Sequence, residues 1–182
     1  MYKIIRFIGI IIGHLCFRFD IKGKENLNQE NNFILAGNHR SNWDPIFLAM
    51  NLGTNVAFFA KKELYENPFM RFVLTKSNAI KVDREKADIK AIKDVMRTLK
   101  NGNNLIFFPE GTRNIDGTAK AKEGIHLIAK RTGTNIIPCH IETNYKLFSK
   151  VKITFGEIIN VDEFEQLEGD FSENLMKRIL SL

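Results

Sequence analysis

A single α/β domain, with a largely parallel central sheet covered by helices, is the fold this sequence predicts. Short continuous apolar runs recur along the chain, helix-length segments alternate with them, and no linker, repeat or low-complexity tract divides it. Apolar runs without polar alternation suit strands covered on both faces, as parallel sheets are. At 182 residues the chain is long enough to bury such a core in one unit.

The first element lies within Met1–Arg18, whose apolar stretch runs from Phe7 to Phe17 with Gly9, Gly13 and His14 inside it. As a helix that stretch reaches only about 16 Å, against a hydrocarbon core of roughly 30 Å, so it is not a simple spanning helix. A signal peptide would need a small-residue cleavage site, and Phe17–Asp20 reads FRFD. Two readings stay open: an interfacial anchor with Lys3, Arg6 and Arg18 near phosphate headgroups, or an ordinary buried helix. The anchor is the preferred expectation. It divides the chain into a membrane-associating helix over residues 1–18 and a catalytic-sized domain over residues 19–182.

Beyond it, Phe17–Ile21 predicts a short strand and Asn32–Ala36 (NFILA) a second. Asp44-Pro45 then opens a helix through about Leu52, aspartate suiting the N-cap and proline the first helical position. Val56–Ala60 (VAFFA) predicts a strand, followed by a helical stretch interrupted near Pro68, and Ala79–Val82 a further strand. Ile89, Ile92, Val95, Met96 and Leu99 share one helical face, which Asn101-Gly102 ends. Leu105–Phe108 is a strand, Ala121–Thr132 a helix ended by Gly133, and Asn135–Ile141 and Val151–Phe155 are strands. Glu173–Leu182 closes the chain as a helix.

Charge is unevenly spread. Residues 157–182 carry seven acidic and two basic side chains, which leaves 25 basic and 14 acidic, a net +11, on residues 1–156. That surface suits an anionic partner: nucleic acid, anionic lipid, a phosphorylated substrate or an acidic carrier protein. A merely solvated lysine-rich surface is the plain alternative. Cys16 and Cys139 are the two cysteines. Far apart and without ligand-like spacing, they argue against a disulfide framework and fit a reducing compartment.

Ligands of open α/β sheets gather at the carboxyl ends of the strands. Three predicted strand ends carry polar groups: Asn38–Asp44 (NHRSNWD), Asp83-Arg84, and Pro109–Arg113 (PEGTR). His39 and Asp44 would point about 140° apart on a continuous helix, so they can meet only across a break. The helix start at Asp44-Pro45 supplies one. A carboxylate that fixes an imidazole's tautomer makes it a good general base. Equally, Asp44 could only cap its helix and His39 be a satisfied loop histidine. In the third loop Gly111 permits close backbone approach, Thr112 offers a hydroxyl and Arg113 can hold a phosphate through paired donors. Glu110 could accept from a substrate hydroxyl or orient Arg113, and Arg84 could add a second cation. A structural Glu110–Arg113 ion pair in a tight turn is the alternative there.

Other chemistries lack their residues. No cysteine neighbours His39, no G-x-S-x-G elbow occurs, and nothing places the Ser41 hydroxyl against the ring. His14, His126 and His140 form no cluster with metal-ligand spacing. Neither phosphate-binding glycine motif, G-x-x-x-x-G-K-[ST] or G-x-G-x-x-G, is present. A base without a protein nucleophile suggests a substrate that brings its own, such as a hydroxyl.

The block N-H-R-S-N-W-D at 38–44 resembles the N-H-x-S-x-x-D block of the glycerolipid acyltransferase family, of the 1-acylglycerol-3-phosphate acyltransferase type. A-I-K-V-D-R at 79–84, F-P-E-G-T-R at 108–113 and I-I-P at 136–138 resemble its second, third and fourth blocks, in the family's order. The similarity runs over about residues 20–160. It implies a glycerol-3-phosphate acyltransferase-like fold and transfer of a fatty acyl group from acyl-CoA or an acylated acyl carrier protein to a lysophospholipid hydroxyl, giving phosphatidic acid. His39 would deprotonate that hydroxyl for direct attack on the thioester, with Asp44 orienting the imidazole and no covalent acyl-enzyme. Arg84, Glu110, Gly111, Thr112 and Arg113 would bind the acceptor phosphate, and Pro138 would shape the pocket near the acyl chain.

The resemblance further implies no metal, no bound cofactor and no nucleic acid partner. An anionic membrane surface would be the partner instead, the protein lying on the cytoplasmic face of the cell membrane as a peripheral or monotopic one. The chain departs from the family pattern at Asn78, where glycine is frequent, at Ala121, where an aromatic is, and near Arg71. Another lyso-lipid acceptor, a hydrolase in which the pair activates water, and a non-catalytic basic membrane- or nucleic-acid-binding module are the alternatives. The aromatics fall mainly inside apolar runs, not in a pattern for stacking bases.

Overall fold

A computed structural model describes residues 2–53, 56–83, 88–115 and 120–182. Helix α1 (Tyr2–Cys16) leads to strands β1 (Arg18–Lys22) and β2 (Ile34–Gly37), then α2 (Asp44–Asn51), β3 (Val56–Lys61), α3 (Pro68–Lys76) and β4 (Ala79–Val82). There follow α4 (Ile89–Lys100), β5 (Asn104–Phe107), α5 (Gly124–Thr132), β6 (Ile136–Glu142), β7 (Lys150–Phe155), the single turn α6 (Val161–Phe164) and α7 (Phe171–Leu180).

The strands form one sheet in the order β1-β7-β6-β2-β5-β3-β4. From β6 to β4 the pairing is parallel throughout. β7 turns back antiparallel to β6, and β1 pairs parallel to β7. β5 therefore lies between β2 and β3, and the segments leaving β2, β5 and β6 emerge side by side at one edge. That adjacency builds the site described below.

Strand periodicity sorts the core into two faces. Ile34 and Ala36 of β2 join Leu105, Phe107 and the inward residues of α4, α5 and α7. Leu35 joins Ile106, Ile137 and the α2 residues Phe47 and Leu48 on the other side. Both faces are covered, which is why these strands read as continuous apolar runs. Each such fully buried side chain contributes about 1.5–3 kcal/mol of transfer free energy.

Helix ends follow local chemistry. The side chain of Asn67 accepts from the Met70 N–H and Pro68 occupies the first turn, so α3 starts there. Asp88 caps α4 by accepting from the Ala91 N–H. Gly133, at φ 64°, ends α5 in the left-handed conformation.

Four details differ from the expectation. Asp44 is the first helical residue of α2 rather than its cap, the cap position being held by Trp43. The carboxylate turns back to the preceding loop instead. The buried stripe of α4 is Ala91, Val95 and Leu99, while Ile89 is 65% exposed; the small Ala91 takes the position against the core. Helix α5 begins at Gly124 rather than Ala121, and the Lys122 N–H ahead of it is bonded to the Pro109 carbonyl oxygen (2.8 Å), tying that segment to the loop after β5. The turn α6, too short to show a period, was not anticipated.

α1 packs on α2 and α3. Gly13 is buried, and a β-carbon there would stand 2.7 Å from Met50 Cε. Arg6 Nε and Nη2 donate to the carbonyls of Ala49 (3.2 Å) and Met50 (2.9 Å), satisfying the last turn of α2. The opposite face of α1 exposes Ile4, Phe7, Ile8, Ile11, Ile12 and Leu15. No helix among the described residues is long and apolar enough to cross a membrane.

Candidate active site

His39 follows β2 by two residues, and Asp44 opens the next helix. Between them the chain makes a tight turn, with Asp44 N–H donating to the Ser41 carbonyl (3.2 Å). The turn folds the Asp44 side chain back, and Oδ2 accepts the backbone N–H groups of Arg40 and Ser41, each at 2.7 Å. The same oxygen lies 3.1 Å from His39 Nδ1. An ionised carboxylate can only accept, so His39 Nδ1 is the donor in this contact. Asp44 is fully buried and His39 6% exposed. The imidazole stacks on Phe108, ring centroids 4.2 Å apart.

Glu110, on the loop after β5, is 2% exposed. Its Oε2 accepts the His39 backbone N–H at 2.7 Å, and its Oε1 accepts from Asn114 Nδ2 at 3.2 Å. The Asn114 N–H in turn donates to the His39 carbonyl at 2.7 Å. Glu110 thus clamps the backbone that carries the imidazole. Burial raises its carboxyl above the ordinary range, more than the donors from Asn114 and His39 lower it.

The remaining predicted residues fall as follows. Gly111 sits at φ 68° and donates its N–H to the Phe108 carbonyl (2.9 Å), closing the tight turn that was the alternative reading of this loop. Lys122 covers it: a β-carbon at Gly111 would meet Lys122 Cδ at 3.1 Å. Thr112 and Arg113 are exposed, and Arg113 lines a pocket together with His39. Pro138 is buried in β6, opposite Ala36 and against Gly156, and is not among the residues that line this pocket. Arg84 lies outside the described residues. No group of three or more His, Cys, Asp or Glu among the described residues is placed to hold a metal ion.

The pocket has a volume of about 410 Å³, within the usual range for small-molecule sites. Its walls are apolar: Ile5 and Gly9 of α1, Ile46 and Met50 of α2, Phe58 of β3, and Val73 of α3. His39, Asn42 and Arg113 supply polar lining. An imidazole, a cation and a long apolar wall therefore share one cavity. α1 is part of that wall.

Three contributors were not singled out from sequence. Tyr145, on the β6–β7 loop, donates its hydroxyl to Asp44 Oδ1 at 2.8 Å. Asn38 donates from Nδ2 to the Ile141 carbonyl (2.9 Å) and accepts the Ile141 N–H (2.8 Å), fastening the start of the His39 loop to β6. Phe108 supplies the stacking surface. Asn38 and Phe108 lay inside the quoted motifs, whereas Tyr145 carried no signal. Near the pair, Cys139 is fully buried, and burial with the nearby Asp44 charge pushes its thiol up, away from the reactive thiolate.

A family model described as Acyltransferase matches residues 18–142, which hold His39, Asp44 and the Glu110–Arg113 loop. The chain belongs to the acyltransferase family. The chain is 32% identical over 159 residues to the 1-acyl-sn-glycerol-3-phosphate acyltransferase of Streptococcus pneumoniae, over 84% of this chain and 59% of that one. It is 31% identical over 173 residues to the protein of that name from Bacillus subtilis, over 89% of this chain and 86% of that one. The crystal structure of the 1-acyl-sn-glycerophosphate acyltransferase PlsC from Thermotoga maritima superposes with a TM-score of 0.79 at 25% identity, over 98% of this chain and 76% of that one. The chain thus spans less than two thirds of the Streptococcus protein and most of the Bacillus one.

Proposed function

We propose that this acyltransferase transfers a fatty acyl group from an acyl thioester to the free hydroxyl of 1-acylglycerol-3-phosphate, giving phosphatidic acid. The observation that carries the reading is the His39–Asp44 pair, 3.1 Å apart, whose imidazole lines an apolar pocket with Arg113. The relatives named for this reaction support the choice of acceptor.

In the proposed reaction the acceptor oxygen attacks the thioester carbonyl carbon while His39 Nε2 takes the hydroxyl proton. Asp44 keeps Nδ1 protonated and stabilises the imidazolium that forms. As the tetrahedral species collapses, the carbon–sulfur bond breaks and the leaving thiolate takes the proton from the imidazolium, so base and charge are restored. Direct attack is favoured because the nearest thiol, Cys139, is buried and held protonated. The acyl chain would lie along the apolar walls, and Arg113 would face the acceptor phosphate. The donor would be acyl-CoA or an acylated carrier protein. With its apolar outer face, α1 would rest on the anionic cytoplasmic surface of the cell membrane, bringing the pocket to both lipids.

Transfer from labelled acyl thioester to 1-acylglycerol-3-phosphate tests the reading, with wild type beside His39→Ala. Phosphatidic acid from wild type alone is expected. Equal product from a folded His39→Ala protein would sink the general-base role, and donor hydrolysis without acyl transfer to any lyso-lipid would replace the transferase reading with a hydrolase.

A further inference from the structure

We propose that Tyr145 is a positioning residue for this reaction: its hydroxyl fixes and partly neutralises the buried Asp44 carboxylate that holds the His39 imidazole. The inference rests on the general-base reading above and extends it to a residue 101 positions from Asp44 in the chain.

The two oxygens of Asp44 are unequally served. Oδ2 takes His39 Nδ1 and the N–H groups of Arg40 and Ser41. Among the described residues, the donor to Oδ1 is Tyr145. In a fully buried carboxylate an oxygen without a donor is costly, so this single hydroxyl decides whether Oδ1 is satisfied. It also withdraws negative charge from the group that grips the imidazolium.

The backbone around Tyr145 is committed to this placement. Tyr145 stands at φ 58° and Phe148, three residues on, at φ 62°, a left-handed region that residues with a β-carbon disfavour. Ties on both sides hold the loop there. The Tyr145 N–H donates to Thr143 Oγ1 (3.3 Å), whose hydroxyl meets Ser149 Oγ (3.2 Å). The Phe148 N–H donates to the Cys16 carbonyl at the end of α1 (2.6 Å), and the Arg18 N–H to the Ser149 carbonyl (3.0 Å). Strain at two non-glycine positions in a fastened loop is a local cost that a hydrogen bond to the reaction's carboxylate explains. Burial, and then the adjacent Asp44 charge, push the phenol well above its ordinary range, so it remains a proton donor wherever the enzyme works.

Among the described residues, the charged and titratable groups around the pair are Arg40 on the same loop, Glu110 and Arg113 on the loop after β5, and Cys139 on β6. None of them donates to Oδ1.

Tyr145→Phe keeps the ring and removes the hydroxyl. Its kcat should fall roughly ten- to a hundredfold, the scale of a hydrogen bond to a charged group, with the KM of donor and acceptor unchanged. Losing the donor leaves Asp44 a stronger grip on the imidazolium, so the acid limb of the kcat/KM profile moves to higher pH. Substrate ionisation is common to both proteins and cancels in the comparison. Replacing Tyr145 with 3-fluorotyrosine strengthens the donor, keeps the ring, and should move the same limb to lower pH; it also serves if Tyr145→Phe folds poorly.

A merely structural tyrosine would not produce opposite shifts. Wild-type kcat and an unmoved acid limb in both proteins, with His39→Ala silent in the same assay, would overturn the role of Tyr145 and leave the general base standing. An active His39→Ala protein would instead overturn both.

Discussion

The carboxylate of Glu110 accepts the backbone N–H of His39 at 2.7 Å. Residues 71 positions apart in the chain thereby fix the peptide that carries the imidazole, and they do so because β5 lies beside β2. Removing the acceptor in Glu110→Ala strands a buried N–H. It should cost about 1–3 kcal/mol, a fall of roughly 2–12 °C in melting temperature for a chain of this size, and should reduce acyl transfer. Unchanged melting and turnover would deny Glu110 its clamping role.

Glu110 also predicts a pH dependence of stability. Its folded-state carboxyl is raised above the ordinary value of 4.5, chiefly by burial. A raised acid binds its proton more tightly in the folded than in the unfolded chain. Its contribution to stability is therefore largest below pH 4.5 and falls as pH climbs from 4.5 through the raised folded value. Glu110→Gln keeps an acceptor for the His39 N–H and has no proton to lose. Urea unfolding across that window should show a shallower decline for Glu110→Gln than for wild type. Parallel curves would contradict the burial effect.

Asp44→Asn separates charge from geometry. With its carbonyl oxygen in the place of Oδ2, the amide still accepts from His39 Nδ1, Arg40 N–H and Ser41 N–H, and its NH₂ can donate to a turned Tyr145 hydroxyl. The contacts survive and the negative charge does not. Turnover should fall roughly 10²–10⁴-fold with little change in melting temperature. A variant that retains more than about a tenth of wild-type kcat would show that orientation of the ring, not stabilisation of the imidazolium, is what Asp44 supplies.

Membrane attachment is best tested at the surface of α1 and not by deleting it, because Arg6 and Gly13 bind this helix to α2 and it walls the pocket. Phe7 and Ile11 are 60% and 44% exposed on its outer face. Phe7→Glu with Ile11→Glu should abolish flotation with anionic vesicles while the fold persists, since it places charge where apolar side chains would enter the interface. Co-flotation equal to wild type would remove α1 as the anchor.

Much of this architecture was legible along the chain. The apolar runs marked all seven strands to within two residues at each end; central strands such as β2 and β5 are buried on both faces and read as unbroken apolar runs, while β7 alternates buried and exposed residues. His39, Asp44 and the Glu110–Arg113 loop were found by reading onward from the strand ends. Less legible was what each side chain does there. Asp44-Pro45 reads as a helix cap, yet the carboxylate serves the preceding turn and the imidazole. Glu110 reads as a substrate or arginine partner, yet both its oxygens are engaged by His39 and Asn114. Pro138 reads as a pocket residue, yet it packs against Gly156 within the sheet.

Local chemistry determined which segments are strands, which are helices, where the glycine turns fall and which loops carry a base, a carboxylate and a cation. Those features depend on a few neighbouring residues, so a short window contains their cause. Tertiary structure alone decided that β5 inserts between β2 and β3, that β7 reverses beside β6, and that α1 folds back onto α2. These choices bring Glu110 under His39, Tyr145 onto Asp44 and Gly9 into the pocket wall. They are set by burial and pairing between segments far apart in the chain, a balance over the whole core that no local pattern records.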